Sequence, residues 1–334
     1  MTDRDLRAAS ALERLSGISA AILHLQRTAI SVARFPSTVL ILGESGTGKE
    51  LVAQGIHEQS PRHDHPFVTV DCTVLTDTLF ESLLFGHERG AFTGATTSTE
   101  GLARAANGGT LFLDEVGELS PSGQAKLLRL LQERTVLSVG ATRPVPVDVR
   151  FIAATHRDLF AMAASGKFRA DLLYRLNVIS MRVPPLRDRR EDLPVLCDSI
   201  LNRLVAFLGV RRVLAADAMR VIQSYDWPGN VRELAACLER ASVLTEGDEI
   251  RPEHLGINPR PLECRLESDE LKGWEYRAVT DALRRSGGNK SEAAAALGVD
   301  RKTLYRKIER LGIPIRVQLT PAEHSRGCAG ERAR

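Results

Sequence analysis

TVLILGESGTGKELVAQ, Thr38 to Gln54, runs from an apolar segment through a glycine-rich turn into a helix-forming segment. Val39, Leu40, Ile41 and Leu42 form an uninterrupted apolar run, the pattern of a parallel strand buried on both faces. Gly43-Glu44-Ser45-Gly46-Thr47-Gly48-Lys49-Glu50 follows, and Leu51, Val52 and Ala53 open a helix. A glycine turn between strand and helix aims backbone N–H groups and the positive helix end at one spot, which suits a phosphate. Gly43, Gly46 and Gly48 allow the tight curl, and Lys49 has the reach for β- and γ-phosphates. Glu50 stands where a metal-binding Ser or Thr usually follows the lysine.

Bulk composition narrows the class. The chain has 334 residues, 43% hydrophobic and 26% charged, as in ordinary globular proteins. No apolar run is long enough to span a membrane, and the amino-terminal MTDRDLRAAS is charged. Cys72, Cys197, Cys237, Cys264 and Cys328 are scattered without a CxxC pair, as expected of reduced thiols in a cytoplasmic protein. Net charge is +3, but Lys272 to Gly312 carries ten Lys/Arg and five Asp/Glu, or +5, which leaves −2 for the rest. A small basic module on a near-neutral body suggests nucleic-acid binding, with a solvated basic face as the plain alternative.

Ala11 to Arg34 has helical spacing ahead of the first strand. Further strands are predicted at Phe67 to Cys72, Gly109 to Glu115, Val149 to Thr155 and Val178 to Val183, with helical segments such as Gln124 to Glu133 between them. Alternation of this kind predicts an α/β parallel sheet with nucleotide at the carboxyl ends of the strands. From Arg190 to about Leu255 the pattern is all-helical, interrupted by Pro228-Gly229. The expected organisation is a leader over 1–14, an α/β domain with a helical lid over 15–256 (α/β part 15–183, lid 184–256), a linker over 257–269, a small basic domain over 270–313 and an irregular tail over 314–334. No receiver or ligand-sensing domain fits so short a leader.

The third strand delivers Asp114-Glu115 to the sheet edge. In nucleotide hydrolysis Asp114 would hold the Mg²⁺ shell and Glu115 would polarise the attacking water. Arg169, Arg175, Arg182, Arg187, Arg189 and Arg190 form a dense run, and an arginine from a neighbouring subunit can neutralise charge on the γ-phosphate. Arg232, after Trp227-Pro228-Gly229-Asn230, is placed to reach the phosphates from the lid. Gly90-Ala91-Phe92-Thr93-Gly94-Ala95 sets an aromatic between small residues, which suits a mobile loop tip, or else a tight turn with Phe92 in the core.

GESGTGKE, GAFTGA, GGTLFLDEVGEL, FRADLLYRLNV and WPGNVREL stand in the order found in bacterial enhancer-binding proteins. The chain resembles that family, the sigma-54-dependent AAA+ activators of the NtrC type, from about Leu15 to Gly312. The resemblance implies a hexameric ring with ATP between subunits, a GAFTGA tip that contacts sigma-54, and Glu50 as the family form. Arg169 and Arg175 match the trans arginines, Arg232 the lid's sensor arginine, and Thr155-His156 the sensor segment, where several relatives carry Asn. Asp71 matches an Asn that in relatives restrains the catalytic glutamate, and an acid there would repel Glu115.

Near the carboxyl terminus, Asn289 to Leu297, the turn Gly298-Val299 and a helix opening at Asp300 have helix-turn-helix spacing. Arg301, Lys302, Thr303 and Arg306 would face the major groove. The module resembles the Fis type, which implies dimeric binding to upstream double-stranded DNA. The expectation is an ATP-driven activator that opens sigma-54 RNA polymerase promoter complexes. A DNA-binding repressor and a replication or recombination motor are the rivals; GAFTGA with Asp114-Glu115 argues against the first, and GAFTGA with the Fis-type module against the second. Control by a separate inhibitor, by a partner paralogue or by expression level is expected, in that order.

Overall fold

The computed structural model describes residues 11–73, 77–92, 97–257, 279, 280, 282, 283, 286, 289–297 and 304. The chain divides into two compact units, Met1–Pro259 and Arg260–Arg334. The first begins with α1 (Ala11–Arg14), α2 (Ala20–Ala33), β1 (Val39–Leu42), α3 (Lys49–Glu58) and β2 (Phe67–Asp71). Next come α4 (Asp77–Phe85), β3 (Gly86–His87), β4 (Thr99–Glu100), α5 (Leu102–Ala105), β5 (Thr110–Asp114) and α6 (Pro121–Glu133). They are followed by β6 (Thr135–Val136), β7 (Val145–Pro146), β8 (Arg150–Thr155), α7 (Leu159–Ala164), α8 (Ala170–Leu176) and β9 (Ile179–Arg182). The unit ends with α9 (Leu193–Leu208), β10 (Val213–Leu214), α10 (Ala216–Ser224), α11 (Asn230–Leu244), β11 (Glu249–Ile250) and α12 (Pro252–Leu255).

All five strands expected from the apolar runs form, and they make one parallel sheet in the order β2-β5-β8-β1-β9. Their apolar runs are continuous because both faces are covered. Val39, Ile41, Phe112, Ile152 and Ala154 pack with Val52 and Ile56 of α3 on one face. Leu40, Leu111, Leu113, Phe151 and Ala153 pack with Leu127 and Leu131 of α6 on the other. The third strand stops at Asp114, one residue short of the expectation, because Glu115 turns into the left-handed region at φ 53°.

The helical region has its own core, built around Leu193, Cys197, Ile222, Trp227, Leu238 and Leu255. It is not all-helical as expected. β10 and β11 pair in parallel, Val213 with Glu249 and Leu214 with Ile250, and close its far end. Two insertions interrupt the α/β part. One is bounded by the antiparallel β3 and β4, the other by the antiparallel β6 and β7.

In the second unit α13 (Lys290–Ala296) forms where a helix is expected, and Val279, Ala282, Leu283, Ala293, Ala294 and Leu304 share a core. The groove-facing Arg301, Lys302, Thr303 and Arg306 lie outside the described residues.

Arg150 is the least expected interior residue, 2% exposed at the start of β8. Its guanidinium donates to the carbonyls of Val32 (2.9 Å) and Ala33 (2.8 Å), the free end of α2. Burial pushes its pKa down to about 10. Replacing Arg150 with Met leaves two buried carbonyls unpaired, and a loss of about 2–4 kcal/mol is expected in urea unfolding. A loss under about 1 kcal/mol would mean that water or a backbone shift takes over the cap.

Candidate nucleotide site

The turn between β1 and α3 closes at the carboxyl edge of the sheet, where Gly43 N donates to Thr155 O at 3.2 Å. Gly46 (φ 77°) and Gly48 (φ 102°) both take the left-handed region, which permits the loop without strain. Thr47 Oγ1 donates to Glu44 O at 2.8 Å inside the turn. Gly48 is the amino-terminal cap of α3, so Lys49 and Glu50 begin the helix whose positive end the loop surrounds.

Lys49 is 6% exposed, and its ammonium lies 3.1 Å from Gly43 O, 3.4 Å from Glu44 O and 3.0 Å from Glu115 Oε1. The other Glu115 oxygen accepts from His156 N at 3.0 Å and from His156 Nδ1 at 2.7 Å. Burial alone would raise the Glu115 pKa, but the hydrogen bonds from Lys49 and His156 outweigh it and hold the carboxyl below its ordinary value. Asp114 goes the opposite way: burial and the Glu115 charge beside it raise its pKa, against the pull of Lys49. Its Oδ1 accepts from Glu115 N at 3.0 Å. A cavity of about 330 Å³ opens beside the loop, lined in part by Gly43, Glu44, Thr155, His156 and Arg182.

Asp71 is the sequence-picked residue that the structure leaves apart from Glu115. Its carboxylate accepts from Thr73 N (2.8 Å) and Thr73 Oγ1 (2.6 Å), and no hydrogen bond joins it to Glu115. Two ionised carboxylates both accept and neither donates, so this separation is the expected outcome. His156, the other sensor candidate, is on Glu115 instead.

The lid lies directly on the loop. Arg232 Nη1 donates to Ser45 Oγ at 2.9 Å, and Val231 N donates to Gly46 O at 3.0 Å. Asn230, fully buried, donates to Glu44 Oε2 (3.2 Å) and Ser45 O (3.0 Å) and accepts from Leu186 N (2.8 Å). Arg187 grips Glu44 through both nitrogens, at 2.8 and 2.5 Å, and that hydrogen bond pulls the Glu44 pKa down. Arg189, buried beneath, donates to Thr47 O at 3.1 Å. A Cβ on Gly46 would meet Gly229 O at 2.3 Å, so the approach of lid to loop demands glycine there. Sequence reading missed Asn230, and it placed Arg187 and Arg189 in a run without a task. Their partners lie 186, 143 and 142 residues away, which no local pattern reveals.

The trans-arginine candidates sit at α8. Arg169 precedes it, with its main-chain N on Gln124 Oε1 (2.9 Å) and its guanidinium on both Asp171 oxygens (3.0 and 2.8 Å). Arg175 is exposed on the same helix. Of the GAFTGA residues, Gly90, Ala91 and Phe92 are described and Thr93, Gly94 and Ala95 are not. Phe92 is 39% exposed rather than tucked into the core, and it meets the His87 ring edge-on at 5.0 Å.

A parallel sheet with a glycine-lined phosphate loop after β1, an acid pair at the end of β5 and a helical lid defines a P-loop ATPase of the AAA+ class. Family models agree: residues 15–182 match the Sigma-54 interaction domain, 187–262 the AAA+ ATPase lid domain, and 272–311 the Fis family of bacterial regulatory proteins. The chain therefore belongs to the sigma-54-dependent transcriptional activators, ATPases that carry a Fis-type DNA-binding module. It is 47% identical over 315 residues to the transcriptional regulatory protein ZraR of Salmonella typhimurium, covering 92% of this chain and 71% of that protein. It is 45% identical over 311 residues to the response regulator PilR of Pseudomonas aeruginosa, covering 90% and 70%. The crystal structure of NtrX from Brucella abortus in complex with ADP superposes with a TM-score of 0.69 at 35% identity, covering 93% of this chain and 72% of that one.

Asn230 sits at φ 53°, where a side chain other than Asn or Gly is strained. Asn230→Ala is expected to weaken nucleotide binding about tenfold, read by titration with a fluorescent ATP analogue, through loss of hydrogen bonds to the loop. Asn230→Gly removes the strain but not the lost bonds, so full affinity in the glycine variant would assign the role to the backbone.

Proposed function

We propose that this chain assembles into a hexameric ring on upstream DNA and uses ATP turnover to press Phe92 and Thr93 against sigma-54. The closed polymerase complex then opens. The observation that carries this reading is a run of contacts from the nucleotide site to the loop tip. Glu115 is bonded to His156 at the end of β8. The β6–β7 hairpin leads into β8 and meets the other insertion where Val139 bridges His87 and Glu88 N donates to Val139 O at 2.9 Å. His87 carries Phe92 on its ring. A shift at Glu115 therefore has a packed route to Phe92.

In the chemistry, Gly43 to Gly48 cradle the phosphates with backbone N–H groups, and Lys49 and Arg232 bind phosphate oxygens. Glu115 orients water and takes up its proton as the water oxygen bonds to the γ-phosphorus. The bond to the β–γ bridging oxygen breaks, and ADP and phosphate leave. Arg169 and Arg175 of one subunit serve the nucleotide of the next, with Arg169 leaving Asp171 to do so.

Among the described residues no group of three His, Cys, Asp or Glu is placed to hold a metal. Mg²⁺ commonly takes one or two carboxylates together with substrate phosphates. Asp114, at the end of β5, is the residue that would hold it. Bound Mg²⁺ supplies charge neutralisation for the phosphate oxygens.

Arg301, Lys302, Thr303 and Arg306 read the DNA site, and a second copy completes a palindrome. Upstream DNA raises the local concentration of subunits, which favours the ring. A separate inhibitor or a partner paralogue sets when it turns over.

Thr93→Ala should retain ATP hydrolysis and DNA binding within about twofold while promoter opening in a purified sigma-54 system falls at least about tenfold. Unchanged opening would remove the loop from the mechanism. Lys49→Ala should abolish nucleotide binding, and surviving activation would show that no motor is involved.

A further inference from the structure

Both carboxylate oxygens of Glu115 are engaged within the protein. Oε1 is on Lys49 (3.0 Å), Oε2 is on the His156 main chain (3.0 Å) and ring (2.7 Å), and the side chain is 14% exposed. An ionised carboxylate only accepts, so His156 Nδ1 carries the proton of that bond. The two restraints differ in how they end. Lys49 is the phosphate-binding lysine, so a phosphate draws it from Oε1. Phosphate binding by Lys49 leaves Oε2 held. Asp71, on the neighbouring strand, takes no part, since its carboxylate is on Thr73.

His156 directly follows β8, whose other end continues from the hairpin that touches His87. We propose that His156 is a positioning residue that parks Glu115 away from the attacking water, and that movement of β8 and its hairpin releases it. Turnover is then slow until the loop that meets sigma-54 moves. This rests on Glu115 being the group that addresses water. The His156 side chain is 42% exposed, so its truncation opens no buried cavity.

The test uses the full chain with three variants, with ATP turnover measured in the absence of sigma-54. Glu115→Gln should be inactive. His156→Ala keeps the main-chain bond and loses the ring bond, so kcat should rise about three- to tenfold with KM for ATP within about twofold. His156→Asn, whose amide can donate to the same oxygen, should return kcat toward the parent. A fall or no change in His156→Ala, with Glu115→Gln inactive, overturns the parking role and leaves the base assignment standing. Turnover by Glu115→Gln overturns both.

A second readout is independent of turnover. The His156 ring ¹⁵N resonance, assigned by its loss in His156→Asn, should move in Glu115→Gln. A resonance that ignores Glu115→Gln overturns the proposal.

Discussion

The tip of the phosphate loop is held against the lid so closely that one extra carbon would not fit. Gly46 faces Gly229 O at a distance that excludes a Cβ, and Asn230, Val231 and Arg232 bond to Glu44, Ser45 and Gly46 beneath them. Much of the site depends on this contact. It makes the lid part of the loop's wall, so that a change in what the loop holds is felt at α11. The turn that delivers it is strained, with Trp227 (φ 52°) and Asn230 (φ 53°) both left-handed. The lid core stabilises that strain: Trp227 is 1% exposed, its indole N–H donates to Ile222 O at 2.9 Å, and Tyr225 packs on it edge-on.

Below the loop, charge is arranged for chemistry more than for stability. A half-buried lysine–carboxylate pair gains little net free energy, because desolvation of both ions offsets their attraction. Lys49 and Glu115 nonetheless face each other at 3.0 Å, each occupying the group the other would offer to ATP or water. The neighbouring Asp114 has its pKa raised while that of Glu115 is lowered, so adjacent acids are pushed toward different tasks. The Glu115 backbone, left-handed at φ 53°, adds local strain at the point where the strand gives way to the site.

The two insertions convert a common nucleotide-binding sheet into a device with an outward-facing aromatic. A Cβ on Gly140 would meet the Ala91 Cβ at 3.0 Å, and the His87 ring is hydrogen-bonded to Ser82 Oγ at 2.8 Å while it supports Phe92. The two insertions are separate in sequence but packed together. They emerge next to strands that end at the acid pair and at His156.

Several things were legible in the chain alone because they are local. The phosphate loop is contiguous from Gly43 to Glu50, and its backbone amides need only the glycines to point inward. The five strands were legible because a strand buried on both faces must be apolar throughout, and the acid pair because it directly follows such a run. The ends were less sharp: Glu115 leaves the strand because its backbone turns into the left-handed region, at φ 53°. What only the tertiary structure decided is the pairing of side chains far apart in sequence. That Arg187 holds Glu44 across 143 residues, that Asn230 spans 186, and that His156 rather than Asp71 meets Glu115 across 41 are outcomes of strand order and lid closure. Periodicity specifies which face a residue occupies, but a hydrogen bond is set by where two elements finally come to rest.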